Sequence, residues 1–250
     1  MSASHYSALL CGYATALAGW LAALRLWPAA WPRRQNPAFA HPWREVTWAL
    51  VAAVGVIAVG QLYVHGVRLR AAGALAPAAE SVNQSLIFSP MLLLLALRGQ
   101  PLSTAWLPTD RVAGRVAVGV ALALLAITAF TAVRPVVGAW AVVVTRVYRW
   151  ASLPTLVQVL LEDVSIAILF VRLRAGLGAH ATIVLVAVLF PAGHVPTLLA
   201  TGAAPREIAA LALDAGLGVG AVAALQRSAD VWWFWQVHFA MDMMQFVGRP

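Results

Sequence analysis

Residues 116–133 read VAVGVALALLAITAFTAV, eighteen consecutive residues without one charged side chain. An α-helix rises about 1.5 Å per residue, so this stretch would form a helix about 27 Å long. The hydrocarbon core of a bilayer is about 30 Å thick, and the stretch therefore predicts a transmembrane helix. Because lipid cannot satisfy open backbone groups, it also predicts that the fold around it is helical.

Seven further apolar runs lie on either side of this one. They cover residues 6–27, 46–63, 82–97, 153–170, 181–199, 208–225 and 231–247, and we expect Pro90 to kink the third of them. A shorter stretch, Val136 to Val144, is typical of part of a tilted helix, a re-entrant piece or a fifth span extended to Trp150. The sequence thus predicts an all-α fold: a polytopic transmembrane bundle of about eight helices, forming one integral membrane domain over residues 1–250.

The composition supports a membrane protein and argues against a soluble one. Of the 250 residues 62% are hydrophobic and only 10% are charged, whereas soluble domains carry about a quarter charged residues. All 17 basic residues are arginines, and the net charge is +8. Many of these arginines fall between the apolar runs, where we expect them to anchor the chain at lipid headgroups rather than to bind nucleic acid. They include Arg33, Arg34, Arg44, Arg98, Arg111 and Arg115.

Two adjacent carboxylates interrupt the apolar run 153–170. A carboxylate at the centre of a bilayer costs about 2.5–3.5 kcal/mol on insertion scales, so Glu162 and Asp163 need a polar cavity, a partner or a chemical role. Adjacent helical residues point about 100° apart. We therefore expect one of the two side chains to line a cavity and the other to bond a neighbouring helix, unless both only tie helices together.

A histidine lies in a second run, within Phe190-Pro-Ala-Gly-His194. Pro191 and Gly193 are expected to loosen the helix where His194 emerges, and Phe190 lies four residues earlier on the same face. Taken alone, such a histidine is more typical of packing than of catalysis.

The last run carries a histidine and an aspartate. His238 and Asp242 are four residues apart, which places both side chains on one helical face. Asp242 could orient the imidazole, fix its tautomer or join it in binding a metal. A buried pair that merely locks helix packing is an equally good explanation of these two residues alone.

Taken together, the three motifs occupy three separate spans that neighbouring helices could bring to one point. A carboxylate can act as general base on a water molecule, and an imidazole can donate a proton or polarise a carbonyl. Alternatively, Glu162, His194 and His238 could hold a divalent metal such as zinc with an open coordination position. Both arrangements lead to hydrolysis.

These residues resemble the CAAX prenyl endopeptidase and bacteriocin-processing family of intramembrane proteases. Its pattern is Glu-Glu-x-x-x-Arg, then Phe-x-x-x-His, then His-x-x-x-Asn/Asp. Phe190 to His194 matches the second motif and His238 to Asp242 the third, and the similar region covers about residues 153–247. In the first motif Glu162-Asp163 stands for the glutamate pair, and Ala167 occupies the arginine position. We expect a neighbouring polar group, or Arg146 or Arg149 from the preceding segment, to substitute for that arginine.

The resemblance implies the roles of the site residues. Glu162 with His194 would activate a water to attack a peptide carbonyl, and His238 with Asp242 would stabilise the oxyanion, with Asp163 as the second acid of the pair. An ionised Asp242 only accepts hydrogen bonds, so it would serve better by orienting His238 or by carrying a proton. The family has both a metalloprotease and a metal-free glutamate mechanism proposed for it, and both stay open here.

The expected function is therefore an intramembrane endopeptidase in a bacterial inner membrane. Its partners would be membrane lipid and a membrane-anchored peptide or protein substrate, with no nucleic acid. The chain lacks the His-Glu-x-x-His zinc motif and the rhomboid and presenilin-type motifs. The alternatives are a non-catalytic scaffold or immunity protein of the same family, and a small proton-coupled transporter.

Other polar residues are interpreted more simply. Asn83 and Gln84 would either line the cavity or cap a helix. His65, His180 and Asp214 are expected near span ends, where solvent can satisfy them.

Overall fold

The computed structural model describes residues 3–28, 31, 37–134 and 138–246, and this part of the chain is helical without a strand. Arg33 and Arg34 lie outside the described residues. So do residues 136 and 137, at the beginning of the run 136–150, and residue 247, at the end of the run 231–247. Eleven α-helices are described: α1 Ala3–Leu26, α2 Pro42–Val64, α3 Ala76–Ile87, α4 Ser89–Leu97, α5 Val112–Val133, α6 Trp140–Val147, α7 Leu153–Leu177, α8 Ala179–Ala192, α9 Val195–Ala200, α10 Pro205–Ser228 and α11 Val231–Phe246.

Five helical segments in the described part are long and apolar enough to cross a membrane. They are His5–Leu26, Pro42–Val64, Val112–Val133, Ala179–Ala200 and Pro205–Ser228, and a bent pair of helices, Gly73–Ile87 with Ser89–Leu97, would make a sixth. These helices indicate a membrane protein, while the expected count of about eight spans is not confirmed. The eight-residue α6 is far too short to cross, and α11, with 16 residues, is also short.

Two predicted helix distortions are present. The helix axis bends by 54° between α3 and α4, where Pro90 occupies the first turn of α4. A second break separates α8 from α9, and the amide of His194 there bonds the carbonyl of Pro191 rather than that of Phe190. Proline lacks the amide proton that a continuous helix needs, which explains why both breaks occur beside one.

Helix α7 lies at the centre of the bundle and carries three of the six buried Asp, Glu and Arg side chains in the described part of the chain. It packs against α2, α3, α8 and α11, and its buried residues run almost without interruption from Val164 to Leu173. Because protein surrounds this helix, charged side chains on it can meet polar partners instead of lipid.

Arg172, near the end of α7, belongs to a polar cluster that ties this helix to α2 and to the end of α4. Arg172 is fully buried and bonds Gln100 and the carbonyl of Ile168, while its Nε lies 3.9 Å from Glu45. Glu45 also accepts bonds from Arg98 (2.6 Å) and Gln100 (2.9 Å). Arg98 is thus paired with a carboxylate, which differs from the headgroup anchor expected from its position in the sequence.

Helix α11 is held at its beginning by an ion pair with α5. Arg115 lies 2.7 Å from Asp230, and both side chains are buried. Asp230 also accepts a bond from the amide of Trp232 and so caps α11. Burial raises the pKa of Asp230, whereas the bond from Arg115 lowers it. The guanidinium of Arg115 thus neutralises a buried carboxylate, whereas its position in the sequence predicted a headgroup anchor.

Glycine at position 119 sets the distance between α5 and α11. A Cβ added there would lie 2.7 Å from the carbonyl oxygen of Trp233, which is backbone and cannot move aside easily. The close approach brings the first turns of α11 directly against α5. It also sets the level of His238 and Asp242, which follow Trp233 by about one and a half and two and a half turns.

Removing Arg115 tests how strongly the Arg115–Asp230 pair stabilises the position of α11. We expect Arg115→Met to lower stability by about 3–5 kcal/mol, because it leaves a buried carboxylate without a counter-charge. Thermal unfolding of the purified protein in detergent measures the effect. Asp110→Asn is the matched control: Asp110 contacts the same arginine at 2.9 Å from an exposed position, so little change is expected. An equal loss of stability in both variants would contradict the stabilising role of the Arg115–Asp230 pair.

Candidate active site

The centre of the site is a hydrogen bond between α7 and α11. Nδ1 of His238 lies 2.9 Å from Oδ1 of Asp163, whose side chain is fully buried. An ionised carboxylate only accepts, so Nδ1 carries the proton and the bond fixes both the ring plane and the tautomer choice. The second ring nitrogen, Nε2, is left for other partners and lies 3.7 Å from Asp242.

Glu162 joins the same group from the preceding position of α7. One ligand atom from each of Glu162, His238 and Asp242 lies within 4.8 Å of the other two. Gln158, one turn earlier on α7, donates to Oε1 of Glu162 at 2.8 Å. The two adjacent acids of α7 therefore both reach His238, although they point in different directions along the helix.

His194 lies beside this group without being part of it. It follows the break between α8 and α9, is exposed, and directs Nδ1 to the carbonyl of Phe190 at 3.0 Å. Phe190 bridges the two histidines, with ring centroids 5.1 Å from His194 and 6.4 Å from His238. The side-by-side arrangement of Phe190 and His194 expected from their spacing is present.

Exposure increases across the site in one direction. Asp163 is 0% and Glu162 5% exposed, whereas the side chains of His238 and Asp242 are 12% and 26% exposed. His194 lies at the exposed end. The acids of α7 are thus at the closed end, and a reactant could reach the cluster past His194 and Asp242.

The donor set also fits a divalent metal. A tetrahedral zinc site has metal–ligand distances of about 2.0–2.2 Å, so its ligand atoms lie about 3.4 Å apart, and the three atoms here would need to close by about 1 Å. The Asp163–His238 bond is the arrangement in which a carboxylate orients a metal-binding imidazole. The structure thus groups Asp242, rather than the expected His194, with Glu162 and His238.

The arginine of the first motif has no direct substitute within the described part of the chain. Ala167 is completely buried, and Arg146 and Arg149 are exposed side chains on the segment before α7. Instead, the Gln158 amide donates to Glu162. A neutral amide can hold the carboxylate in place but adds no positive charge beside it.

Sequence reasoning missed three residues near the site. Gln158 lies one turn from Glu162, a spacing that could have drawn attention to it. Tyr13 of α1 comes from the half of the chain outside the family-like region, yet the charges of Asp242, Asp163 and Glu162 act on it. The third is Asp214, whose charge acts on Asp242 and His194.

Asn83 and Gln84 have a role different from the two that the sequence predicted for them. Asn83 is buried and exchanges two bonds with the backbone of Leu69, and it also bonds Glu80. Gln84 donates to Glu80 as well. These side chains hold the connection before α3 against the helix, and neither bonds a residue of the cluster around His238.

Comparison with known protein families, with curated proteins and with solved structures gave no match for this chain. The resemblance to the CAAX endopeptidase family thus depends on the motif residues themselves.

The Asp163–His238 bond can be tested by a double-mutant cycle. We expect Asp163→Ala and His238→Ala each to destabilise the protein, and the double variant to be less stable than wild type by less than their sum. The coupling should be about 0.5–3 kcal/mol, the range for residues in contact. Unfolding in detergent provides the measurement, and the cycle Asp163→Ala with His194→Ala is the control that should be nearly additive. Additivity in both cycles would contradict the bond.

Proposed function

We propose that this protein is an intramembrane endopeptidase that hydrolyses a peptide bond of a membrane-attached substrate. The supporting observation is the group formed by Glu162, His238 and Asp242, backed by Asp163, at the partly open end of a helical bundle. Ionisable groups enclosed by apolar helices are expensive and are best explained by a function. Hydrolysis uses a carboxylate and imidazoles in this kind of arrangement.

In the proposed reaction Glu162 is the general base. It accepts a proton from a water molecule whose oxygen attacks the carbonyl carbon of the substrate, and the carbon–oxygen π electrons move onto the carbonyl oxygen. His194 lies on the exposed side of the cluster. When the tetrahedral intermediate collapses, the carbon–nitrogen bond breaks and the proton held by Glu162 passes to the leaving amine.

The developing oxyanion requires hydrogen-bond donors. His238, oriented by Asp163 through Nδ1, can donate from Nε2 when that nitrogen is protonated. Asp242 is a donor only when it carries a proton. Tyr13 of α1 is within the range of electrostatic interaction with the same carboxylates, and a phenol donates without any change of charge.

If a divalent metal is bound, Glu162, His238 and Asp242 would hold it. It would then supply Lewis-acid polarisation of the carbonyl and a bound water of lowered pKa. The role of Asp163 is the same with or without the metal, because it fixes the imidazole ring in both cases.

The gradient of exposure favours an enzyme over a scaffold. A scaffold would be best served by polar groups that are paired and sealed, whereas Asp242 and His194 remain accessible. Partners of the enzyme would be membrane lipid and an anchored peptide such as a lipid-modified tail, a bacteriocin leader or a C-terminal sorting helix. A bacterial inner membrane is the proposed location.

Glu162→Gln is the most direct test of this proposal. The change keeps the size of the side chain and its acceptance of the Gln158 bond but removes the base, so we expect processing of membrane-anchored reporters in cells to fall at least about 100-fold. Reporter fragments are separated by gel electrophoresis and quantified. His238→Ala should cause a loss of similar size.

Two matched variants control for changes of charge and expression. Glu207→Gln makes the same substitution at an exposed helix start, where glutamine can still bond the amide of Ala204. His65→Ala removes an exposed histidine at the end of α2. Both should process reporters at the wild-type rate. Undiminished processing by Glu162→Gln at normal expression would exclude the proposed mechanism.

Substitutions of Asp242 separate orientation from charge. We expect Asp242→Asn to retain processing within about tenfold of wild type, since an amide both accepts from His238 and donates to an oxyanion. Asp242→Leu, of similar size but without polar atoms, should lose it. Rates are compared at equal amounts of protein in the membrane. Equal rates for asparagine and leucine would mean that residue 242 does not act through hydrogen bonds.

A further inference from the structure

Asp214 is an ionisable residue that the proposed hydrolysis does not use. It is the tenth residue of the 24-residue helix α10, about 14 Å from the beginning of that helix at 1.5 Å per residue. Helix α10 is one of the apolar segments able to cross a membrane. The expectation that Asp214 lies near the end of a span is therefore wrong: it lies well inside the helix, and its side chain is exposed.

The packing of α10 against α8 determines the direction in which Asp214 points. Gly218 lies one turn later on the same face, and a Cβ there would touch Ala187 of α8 at 3.5 Å. Residues 201–204 connect the segment Ala179–Ala200 to α10, so the two packed helices run antiparallel. Asp214, one turn before Gly218 on α10, therefore lies level with Pro191, one turn after Ala187 on α8. This position is close to the break at His194.

Electrostatic interactions agree with this register. The charge of Asp214 acts on Asp242 and on His194, and it also acts on Tyr13 across the site. Yet within the described part of the chain Asp214 forms no hydrogen bond or ion pair, and Nδ1 of His194 bonds the carbonyl of Phe190 instead. Asp214 therefore does not position His194 through a direct bond.

The site as a whole has an excess of acidic groups. Among the described residues, carboxylates from α7, α10 and α11 are accompanied by two imidazoles, His194 and His238. The four acids are Glu162, Asp163, Asp214 and Asp242. In addition, Oδ2 of Asp163 is buried without a hydrogen-bond partner. An unpartnered carboxylate in an apolar helix costs about 2.5–3.5 kcal/mol on insertion scales, and a cation beside it would reduce that cost.

We propose that Asp214 selects substrates that carry an arginine or lysine side chain near the cleaved bond. This proposal rests on the proposed endopeptidase function and adds its substrate class. A basic side chain entering the membrane also needs a counter-charge, and a carboxylate at the accessible end of the site supplies one. Arginine would be preferred, because its guanidinium can bind a carboxylate through two parallel hydrogen bonds.

Binding of synthetic peptides tests the proposal without relying on cleavage. The probes are alanine–leucine helical peptides with a single arginine moved through the five central positions, each compared with its citrulline counterpart, the neutral analogue of arginine. The protein carries Glu162→Gln to prevent cleavage and is held in lipid nanodiscs. We expect at least one arginine peptide to bind about tenfold or more tightly than its citrulline counterpart.

Variants at position 214 test whether Asp214 causes the preference for arginine over citrulline. Asp214→Asn should abolish it, Asp214→Glu should retain it, and Asp214→Arg should shift the preference to a glutamate peptide. Asp110→Asn, the same change on an exposed loop, should leave the preference intact. Equal binding of arginine and citrulline at every position, or a preference that survives Asp214→Asn, would overturn the proposal. The proposal would also be overturned if Asp214→Asn lost zinc binding but kept the preference for arginine.

Processing of a reporter pool separates this proposal from the function on which it rests. Membrane-anchored reporters with five randomised residues are expressed with the protein carrying an intact Glu162, and the cleaved sequences are read. Enrichment of arginine or lysine supports both proposals. Cleavage without basic residues overturns the role of Asp214 and leaves the endopeptidase standing. No cleavage, combined with arginine-selective binding, overturns the endopeptidase and supports the basic-ligand site.

Discussion

The hydrogen bond between Asp163 and His238 is the interaction on which the rest of the site depends. It joins the central helix α7 to the last helix α11 at 2.9 Å, and the carboxylate is fully buried. A buried charge is tolerated only when it is paired and hydrogen-bonded, so this contact constrains how the two helices can approach. Once it is formed, Glu162 and Asp242 both lie next to the other side of the imidazole.

The surrounding helices reduce the cost of these buried groups. Protein rather than lipid encloses α7, and a second polar cluster, Arg172 with Glu45 and Gln100, holds it against α2. The Arg115–Asp230 pair fixes the beginning of α11 against α5. Both ionic anchors contact the connection between α4 and α5, Arg172 at Thr104 and Arg115 at Asp110. Each anchor holds one of the two helices that carry reactive groups.

Much of the arrangement could be predicted from spacing along one helix. The pairing of His238 with Asp242, the contact of Phe190 with His194 and the breaks near Pro90 and Pro191 all follow from local geometry. The number of spans was harder to predict. Apolar length alone does not distinguish a helix crossing lipid from one covered by protein, and the run 136–150 contains only the short α6. The partners of the arginines were hard to predict for a related reason: Arg98 and Arg115 are near span ends in sequence, but they face carboxylates distant in the chain, Glu45 and Asp230.

The sequence by itself determined that the chain is helical and apolar, because eighteen uncharged residues can satisfy their backbone groups in lipid only as a helix. It also determined which residues could carry chemistry, since charged side chains inside apolar runs require a partner. Only the tertiary structure decided which groups meet across helices: Asp163 bonds His238, 75 positions later in the chain, and Glu162 joins His238 and Asp242. Such contacts depend on helix rotation. Packing of side chains around the whole bundle sets that rotation, and no single segment records it.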